Sequence, residues 1–160
     1  YLPKTLGQIE QHMAKNGFAF NQVLSAVMTL AGAGHLTPAR DLSDAQRVRK
    51  QTDSLNLHLM QRAQNSGDIA CLASPVTGGG IGVIRFHQLF LLAGYHGYKK
   101  PEDRAGFVWR ILKSRGQRLK KDNTTLQSEQ DNLTELTDQA KTFCDKALPV
   151  FTALQVVPEK

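Results

Sequence analysis

A glycine-rich segment between two apolar stretches is the feature that most constrains this chain. Residues 69–95 read IACLASPVTGGGIGVIRFHQLFLLAGY, so an apolar run ends at Ser74-Pro75, a cluster of glycines follows, and a second apolar segment begins near Ile84. This order predicts a buried strand, a glycine loop and a helix, which is the arrangement of nucleotide-binding turns. A tight turn without a ligand would give the same pattern.

The glycine segment lacks the residues that phosphate binding requires. A P-loop needs Lys and then Ser or Thr directly after its last Gly, and neither is present. A dinucleotide-binding turn needs a third Gly where this chain has Val83, and the surrounding series of alternating strands and helices is missing. We therefore interpret the segment as a turn that uses positive φ angles.

Catalytic and metal-binding motifs are also missing. The chain has no GxSxG elbow, no HExxH zinc motif and no CxxC pair, so the sequence predicts no catalytic, cofactor-binding or metal-binding residue. Some residues around the loop could still contact a ligand or a partner. These are Gly78, Gly79, Gly80, Arg85 and His87.

The formal net charge of +6 is unevenly distributed. Residues 97–121 are strongly basic, whereas acidic residues outnumber basic ones from residue 122 onward. A basic patch can attract nucleic acid, acidic lipid or an acidic protein, and it can also be an ordinary solvated face. The candidate patch consists of Lys99, Lys100, Arg110, Lys113, Arg115, Arg118, Lys120 and Lys121.

The first third of the chain has the order of a winged-helix unit. A capping box at Thr5–Gln8 begins a short helix, and an apolar stripe from Val23 to Ala31 marks a second one. Residues 35–37 read as a short strand that could pair with the strand at 69–73. A second capping box at 43–46 then begins a long helix. The outward positions of the second helix carry no positive charge for contact with phosphates.

The remaining chain predicts helices over 84–93 and 101–114, and a last helix that begins near Asp122 and is ended by Pro149. The last helix has apolar residues at spacings of three and four, which predicts one buried stripe, with a coiled-coil dimer through 123–154 as the alternative. The stripe comprises Leu133, Leu136, Ala140, Phe143 and Ala147.

Together these elements predict a mainly α fold with a few short β-strands, in which a winged-helix-like unit is elaborated by additional helices. We expect one domain over residues 1–160, with a weak seam near 40–43 between a winged-helix-like start (1–40) and a helical remainder (43–160). The longest strongly apolar run, Leu89 to Ala93, is too short to span a bilayer. The two cysteines predict reduced, mostly buried thiols in a cytoplasmic protein.

Several stretches together resemble the C-terminal region of the bacterial methyltransferase regulatory domain family, which includes protein lysine methyltransferases of outer-membrane proteins. They are Ser74 to Ile81 with Leu89 to Leu92, Asn21 to Ala39, and the terminal Leu148-Pro149 to Leu154. The resemblance implies a winged-helix-like accessory domain. In that family S-adenosylmethionine binds an N-terminal Rossmann-type domain, whose glycine fingerprint this chain does not contain.

The leading functional hypothesis is therefore a non-catalytic, regulatory accessory domain of an S-adenosylmethionine-dependent protein methyltransferase. Its expected partners are the rest of the methyltransferase chain and a protein substrate. Because the chain begins at Tyr1 rather than Met, we expect it to be part of a longer protein. Two alternatives stay open: a winged-helix module that binds nucleic acid through 97–121, and a structural module that dimerises through 123–154.

Overall fold

The computed structural model describes residues 3–159, and within them the chain is mainly α-helical with two short antiparallel β-hairpins. This confirms the predicted mainly α class with a few short strands. The predicted domain also includes Tyr1, Leu2 and Lys160, which lie outside the described residues. In chain order the elements are α1 (Leu6–Ala14), α2 (Phe20–Gly32), α3 (Leu42–Arg62), β1 (Cys71–Ser74), β2 (Gly79–Gly82), α4 (Arg85–Tyr95), α5 (Pro101–Ser114), β3 (Lys120–Lys121), β4 (Thr124–Thr125), α6 (Glu129–Thr142) and α7 (Leu148–Ala153).

Helix α4 lies at the centre of the core because its apolar run leaves it no polar face. The five consecutive residues Leu89 to Ala93 are all buried. Helices α3 and α5 both pack on α4, and α6 packs against α5. The stripe predicted for the last helix is part of this core, since Leu136, Ala140 and Phe143 are buried within the chain.

The predicted strand at residues 35–37 is wrong, because β1 pairs with β2 instead. The antiparallel register places Cys71 opposite Gly82 and Ser74 opposite Gly79. The turn closes with the Gly78 N–H donating to the Ser74 carbonyl oxygen at 2.9 Å. Pairing across this short turn closes a much smaller loop than pairing with residues 35–37 would. The glycine segment is therefore the second strand of a hairpin and does not lead directly from strand to helix.

The predicted start of the last helix near Asp122 is also wrong. Asp122 and Asn123 have φ angles of +48° and +62° and form the turn of the β3–β4 hairpin. Ser128 caps α6 by accepting a hydrogen bond from the Asp131 N–H at 3.0 Å. The helical path then continues past Pro149, through a π-helical turn at Phe143–Ala147 and into α7. The wider turn accommodates a proline that lacks an N–H and crowds the preceding turn.

Helix α3 differs from its prediction in its start, and its buried face includes a polar side chain. It begins at Leu42, and its N-cap residue Asp41 makes no side-chain capping hydrogen bond, so the predicted capping box at 43–46 is wrong. Leu55 is exposed, whereas the polar Asn56 is fully buried. The Asn56 amide donates to the carbonyl oxygens of Ala73 and Val156, at 2.8 and 3.0 Å, and its Oδ1 accepts from the Ala73 N–H at 2.7 Å. Asn56 thereby joins α3, β1 and the C-terminal tail.

Candidate functional site

The glycine hairpin makes room for an arginine side chain. Gly78 has a φ of +72°, and a Cβ placed on it would lie 2.0 Å from Nε of Arg40. The Arg40 N–H donates to the Val76 carbonyl oxygen at 2.7 Å, which fixes the backbone beside the turn. A cleft of about 230 Å³ lies between the hairpin and α3, with Thr52 and Ser74 in its wall. Gly78 is thus needed for backbone conformation and for the close approach of Arg40.

Arg85, predicted as a possible ligand contact, has a structural role. Its Nε donates to the Ala63 carbonyl oxygen at 2.8 Å, and Nη2 donates to the Gln64 carbonyl oxygen and to Oε1 of Gln117, both at 3.1 Å. Burial, and secondarily the nearby Arg115, lower the pKa of Arg85. Arg85 therefore satisfies carbonyl groups at the C-terminal end of α3, which otherwise lack partners.

His87 lies apart from both Arg85 and the glycine turn, so the structure does not bring these predicted residues into one site. Its ring lies 5.1 Å from the ring of Phe143 and 5.9 Å from that of Phe151. Burial lowers the pKa of His87, which favours the neutral imidazole at pH 7. The ring faces a cavity of about 540 Å³ whose opposite side includes Glu135 and Asp138 of α6.

Much of the predicted basic patch already has partners within the chain. Lys113 pairs with Glu129 at 2.7 Å, and Lys121 pairs with Glu135 at 2.8 Å. The other partnered members make hydrogen bonds to neutral groups: Arg115 to Asn65, Arg118 to Gln127, and Arg110 to Tyr98. Within residues 3–159, the side-chain ammonium groups of Lys99, Lys100 and Lys120 make no ion pair or hydrogen bond, although the carbonyl oxygens of Lys99 and Lys100 accept from Arg104. The sequence segment is therefore less positive as a surface than its composition suggests.

The aromatic residues near this patch form one stack on its surface. The Arg110 guanidinium lies 5.4 Å from the centre of the Tyr98 ring and 6.0 Å from that of Phe107. The His96 ring lies 5.6 Å from Phe107 on the other side. Trp109, by contrast, is buried, and its Nε1 donates to Oε1 of Glu129 at 2.8 Å, so it packs in the core rather than facing solvent.

Most of the exposed large apolar side chains among the described residues lie on or next to the first two helices. Helices α1 and α2 pack on each other, and of residues 3–40 Val23 alone is buried. We call residues 3–40 the N-terminal arm. Its exposed large apolar side chains, with the adjoining Leu42, are Phe18, Phe20, Leu24, Met28, Leu30 and Leu36. Scattered apolar residues are ordinary on a surface, but a cluster of this kind marks an interaction site.

Membrane-spanning helices and metal-binding clusters are not found among the described residues. No helix there is both long and apolar enough to cross a bilayer, and no group of three or more His, Cys, Asp and Glu side chains is arranged to hold a metal ion. Both cysteines are free thiols; Cys71 is exposed rather than buried as predicted, and Cys144 is half-buried.

Residues that the sequence did not indicate contribute the most distinctive chemistry. Arg40 lies in the segment predicted as a seam, and Glu135 and Asp138 lie on a helix whose apolar stripe alone was recognisable. Arg40 meets Gly78 across thirty-eight positions, and Glu135 faces His87 across forty-eight, although its ion-pair partner Lys121 is only fourteen positions away. No local signal predicts such contacts, because they depend on how the helices pack.

The chain is similar to a longer bacterial protein. No protein-family model and no solved structure matches it. The protein described as uncharacterized protein sll1526, from Synechocystis sp., is 33% identical over 154 residues, which cover 96% of this chain and 30% of the relative. This chain therefore spans less than a third of the length of the relative that it matches.

Proposed function

We propose that this chain is a non-catalytic accessory part of a cytoplasmic S-adenosylmethionine-dependent protein methyltransferase, and that it supports the enzyme by holding its architecture or positioning a protein substrate. The proposal rests on the resemblance carried by Ser74 to Ile81 and on the length of the relative. Some two thirds of that relative lies outside the matched segment, which is ample for a separate catalytic domain.

The observation that carries the proposal is the apolar surface of the N-terminal arm. Seven of the nine exposed large apolar side chains among the described residues lie between Phe18 and Leu42. An arm that buries only Val23 has little tertiary packing to stabilise its helices. We propose that the rest of the longer polypeptide docks on this arm and covers the apolar face of α2 with an apolar surface of its own.

Isothermal titration tests the proposed division of labour. The chain alone should take up no S-adenosylmethionine, and the full-length gene product should bind it. Binding to the chain alone at micromolar concentration would contradict the proposal. A full-length product that neither binds S-adenosylmethionine nor methylates protein would also contradict it.

Substitution within the arm tests the proposed architectural role separately. In the full-length protein, Met28→Glu should lower both methyl transfer and the melting temperature, because it places a charge in a buried interface. Leu55→Glu is the matched control, since Leu55 is exposed on α3, outside the arm. Equal effects of the two substitutions on methyl transfer and melting temperature would contradict the architectural role proposed for the arm.

Nucleic-acid binding is a second candidate because the stack of Arg110 on Tyr98 and Phe107 lies beside the unpartnered Lys99 and Lys100. Tyr98 and Phe107 are half-buried, and accessible aromatic rings together with cations are the components of single-strand binding surfaces. This candidate predicts binding of a fluorescent oligonucleotide that weakens steeply with salt and is lost in Tyr98→Ala. A salt-independent signal, or none at low salt, would exclude it.

A further inference from the structure

A cavity of about 540 Å³ opens between α4, α6 and the β3–β4 hairpin. Its volume is within the range of pockets that hold small molecules or single side chains. None of the contacts that stabilise the glycine hairpin or the N-terminal arm involves its walls. The chemistry of its two sides decides what the cavity can bind, because the α4 side is aromatic and the α6 side is acidic.

The α4 side of the cavity is aromatic and uncharged. Phe90 is fully buried, and its ring lies 5.4 Å from that of Phe143, while Phe86 is half-buried beside it. His87 completes this wall and stacks on Phe143. Because burial lowers the pKa of His87, its imidazole is neutral near pH 7 and keeps one nitrogen as an acceptor. Aromatic rings attract a cation, and a neutral imidazole carries no charge that would repel it.

The α6 side of the cavity is acidic. Glu135 is only 17% exposed at its side chain, and its Oε1 accepts from the Gln139 amide at 2.9 Å. Asp138 is further out, and its nearest cation is Lys141 at 3.9 Å. The side chains that line the cavity therefore carry two carboxylates and one ammonium, in a chain whose overall charge is +6.

The ammonium already in the cavity belongs to Lys121. Its Nζ lies 2.8 Å from Oε2 of Glu135, and 58% of the lysine side chain remains exposed. The hydrogen bond from Lys121, with that from Gln139, lowers the pKa of Glu135. Lys121 comes from a two-residue strand next to a tight turn, so little packing holds it in place. Because the lysine end of this ion pair is exposed, the pair is weak and can be exchanged for another.

We propose that this cavity binds the ammonium of a lysine side chain presented by an extended peptide, and that Lys121 occupies the ammonium position until the peptide displaces it. The aliphatic stem of the incoming side chain lies along Phe86 and Ile84, and its ammonium reaches Glu135 and Asp138. Gln139 orients the Glu135 carboxylate. This proposal does not depend on the docking of the N-terminal arm or on methyltransferase activity.

Titration of the chain with Nα-acetyl-lysine methylamide and with a short peptide that is acetylated at its N-terminus and contains one unmodified lysine, followed by NMR shifts of the His87 and Phe86 signals, tests the proposal. N-acetyl-norleucine methylamide is the uncharged control ligand. Both lysine probes should shift these signals, the peptide should bind more tightly than the single amino acid, and the norleucine probe should have little effect. Equal binding of the lysine and norleucine probes, or no saturable shift at several millimolar, would overturn the proposal.

Substitution of the internal competitor gives the sharper test. Lys121→Met should raise affinity about two- to fivefold, because the ligand no longer competes with an exposed ion pair. Lys120→Met is the matched control, since the Lys120 side chain makes no ion pair or hydrogen bond within residues 3–159, and it should leave affinity unchanged. Glu135→Gln should weaken binding about tenfold. A loss of affinity in Lys121→Met, with the chain still folded by circular dichroism, would contradict the proposal that Lys121 competes with the ligand for Glu135.

Discussion

The side chain of Arg40 crosses directly over Gly78, so that a Cβ at Gly78 would lie 2.0 Å from Nε and 2.7 Å from Cζ of the arginine. Gly78 also has a φ of +72°, a conformation that residues with a side chain rarely adopt. One position therefore meets two independent constraints, one from the backbone of the hairpin and one from a residue thirty-eight positions earlier.

Gly78→Ala should lower the free energy of unfolding by about 1–3 kcal/mol, because the backbone becomes strained and Arg40 must move. Gly79→Ala is the matched control: it has no positive φ and no atom within 4 Å of its added Cβ. Urea unfolding followed by circular dichroism measures both. The double variant Arg40→Ala/Gly78→Ala should recover part of the loss. Equal costs at Gly78 and Gly79 would mean that the turn tolerates side chains.

Asn56→Ala should destabilise the chain by about 2–4 kcal/mol. The substitution leaves the Ala73 N–H without its partner, and the carbonyl oxygens of Ala73 and Val156 each lose a hydrogen bond inside the core. Ser54→Ala, at an exposed position of the same helix, should change stability by less than about 0.5 kcal/mol. Thermal unfolding of the two variants distinguishes this network from a general effect of substitution in α3.

Arg85→Ala should cost about 1–3 kcal/mol, since it removes the donors to two backbone carbonyls near the end of α3. Amide hydrogen exchange should rise locally around Ala63 and Gln64. Arg62→Ala, which breaks an exposed pair with Asp68, should have a much smaller effect. If Arg85→Ala left exchange at these amides unchanged, the structural role assigned to Arg85 would be wrong.

His87 should make stability depend on pH in the mildly acidic range. Because burial lowers its pKa in the folded state below the ordinary value of 6.5, the unfolded chain binds the proton more readily. Stability should therefore fall as pH drops below about 6.5, and the loss should stop growing below the lowered folded pKa. Urea unfolding between about pH 7.5 and 5 should lose this slope in His87→Phe. His58→Gln, at an exposed site on α3, should keep it.

The sequence predicted the helical class, the helix over 101–114 and the stripe that packs α6 into the core, because hydrophobic periodicity reports such faces directly. It failed at the two hairpins. Gly79 to Gly82 carry little strand propensity, so the sequence predicts a loop where the structure has a strand paired with β1. Asp122-Asn123 could have been recognised, since these residue types accept positive φ angles and favour a hairpin turn.

The candidate sites were harder to predict than the fold class. The wall of Glu135 and Asp138 opposite His87 depends on the packing of helices that are distant in sequence. The contact of Arg40 with Gly78 follows from the β1–β2 hairpin. Because the sequence does not predict this hairpin, it cannot predict the contact either. The exposed stripe of α2 has the same periodicity as a buried one, so periodicity alone could not reveal that the described chain leaves it uncovered.

Hydrogen exchange of the N-terminal arm is the most direct test of the proposed accessory role. Residues 18–32 are measured in this chain alone and in the full-length gene product under identical conditions. The account predicts fast exchange in the chain alone and strong protection in the full-length protein, because the apolar face of α2 becomes covered. Equal exchange in both would contradict docking of the arm on the rest of the polypeptide.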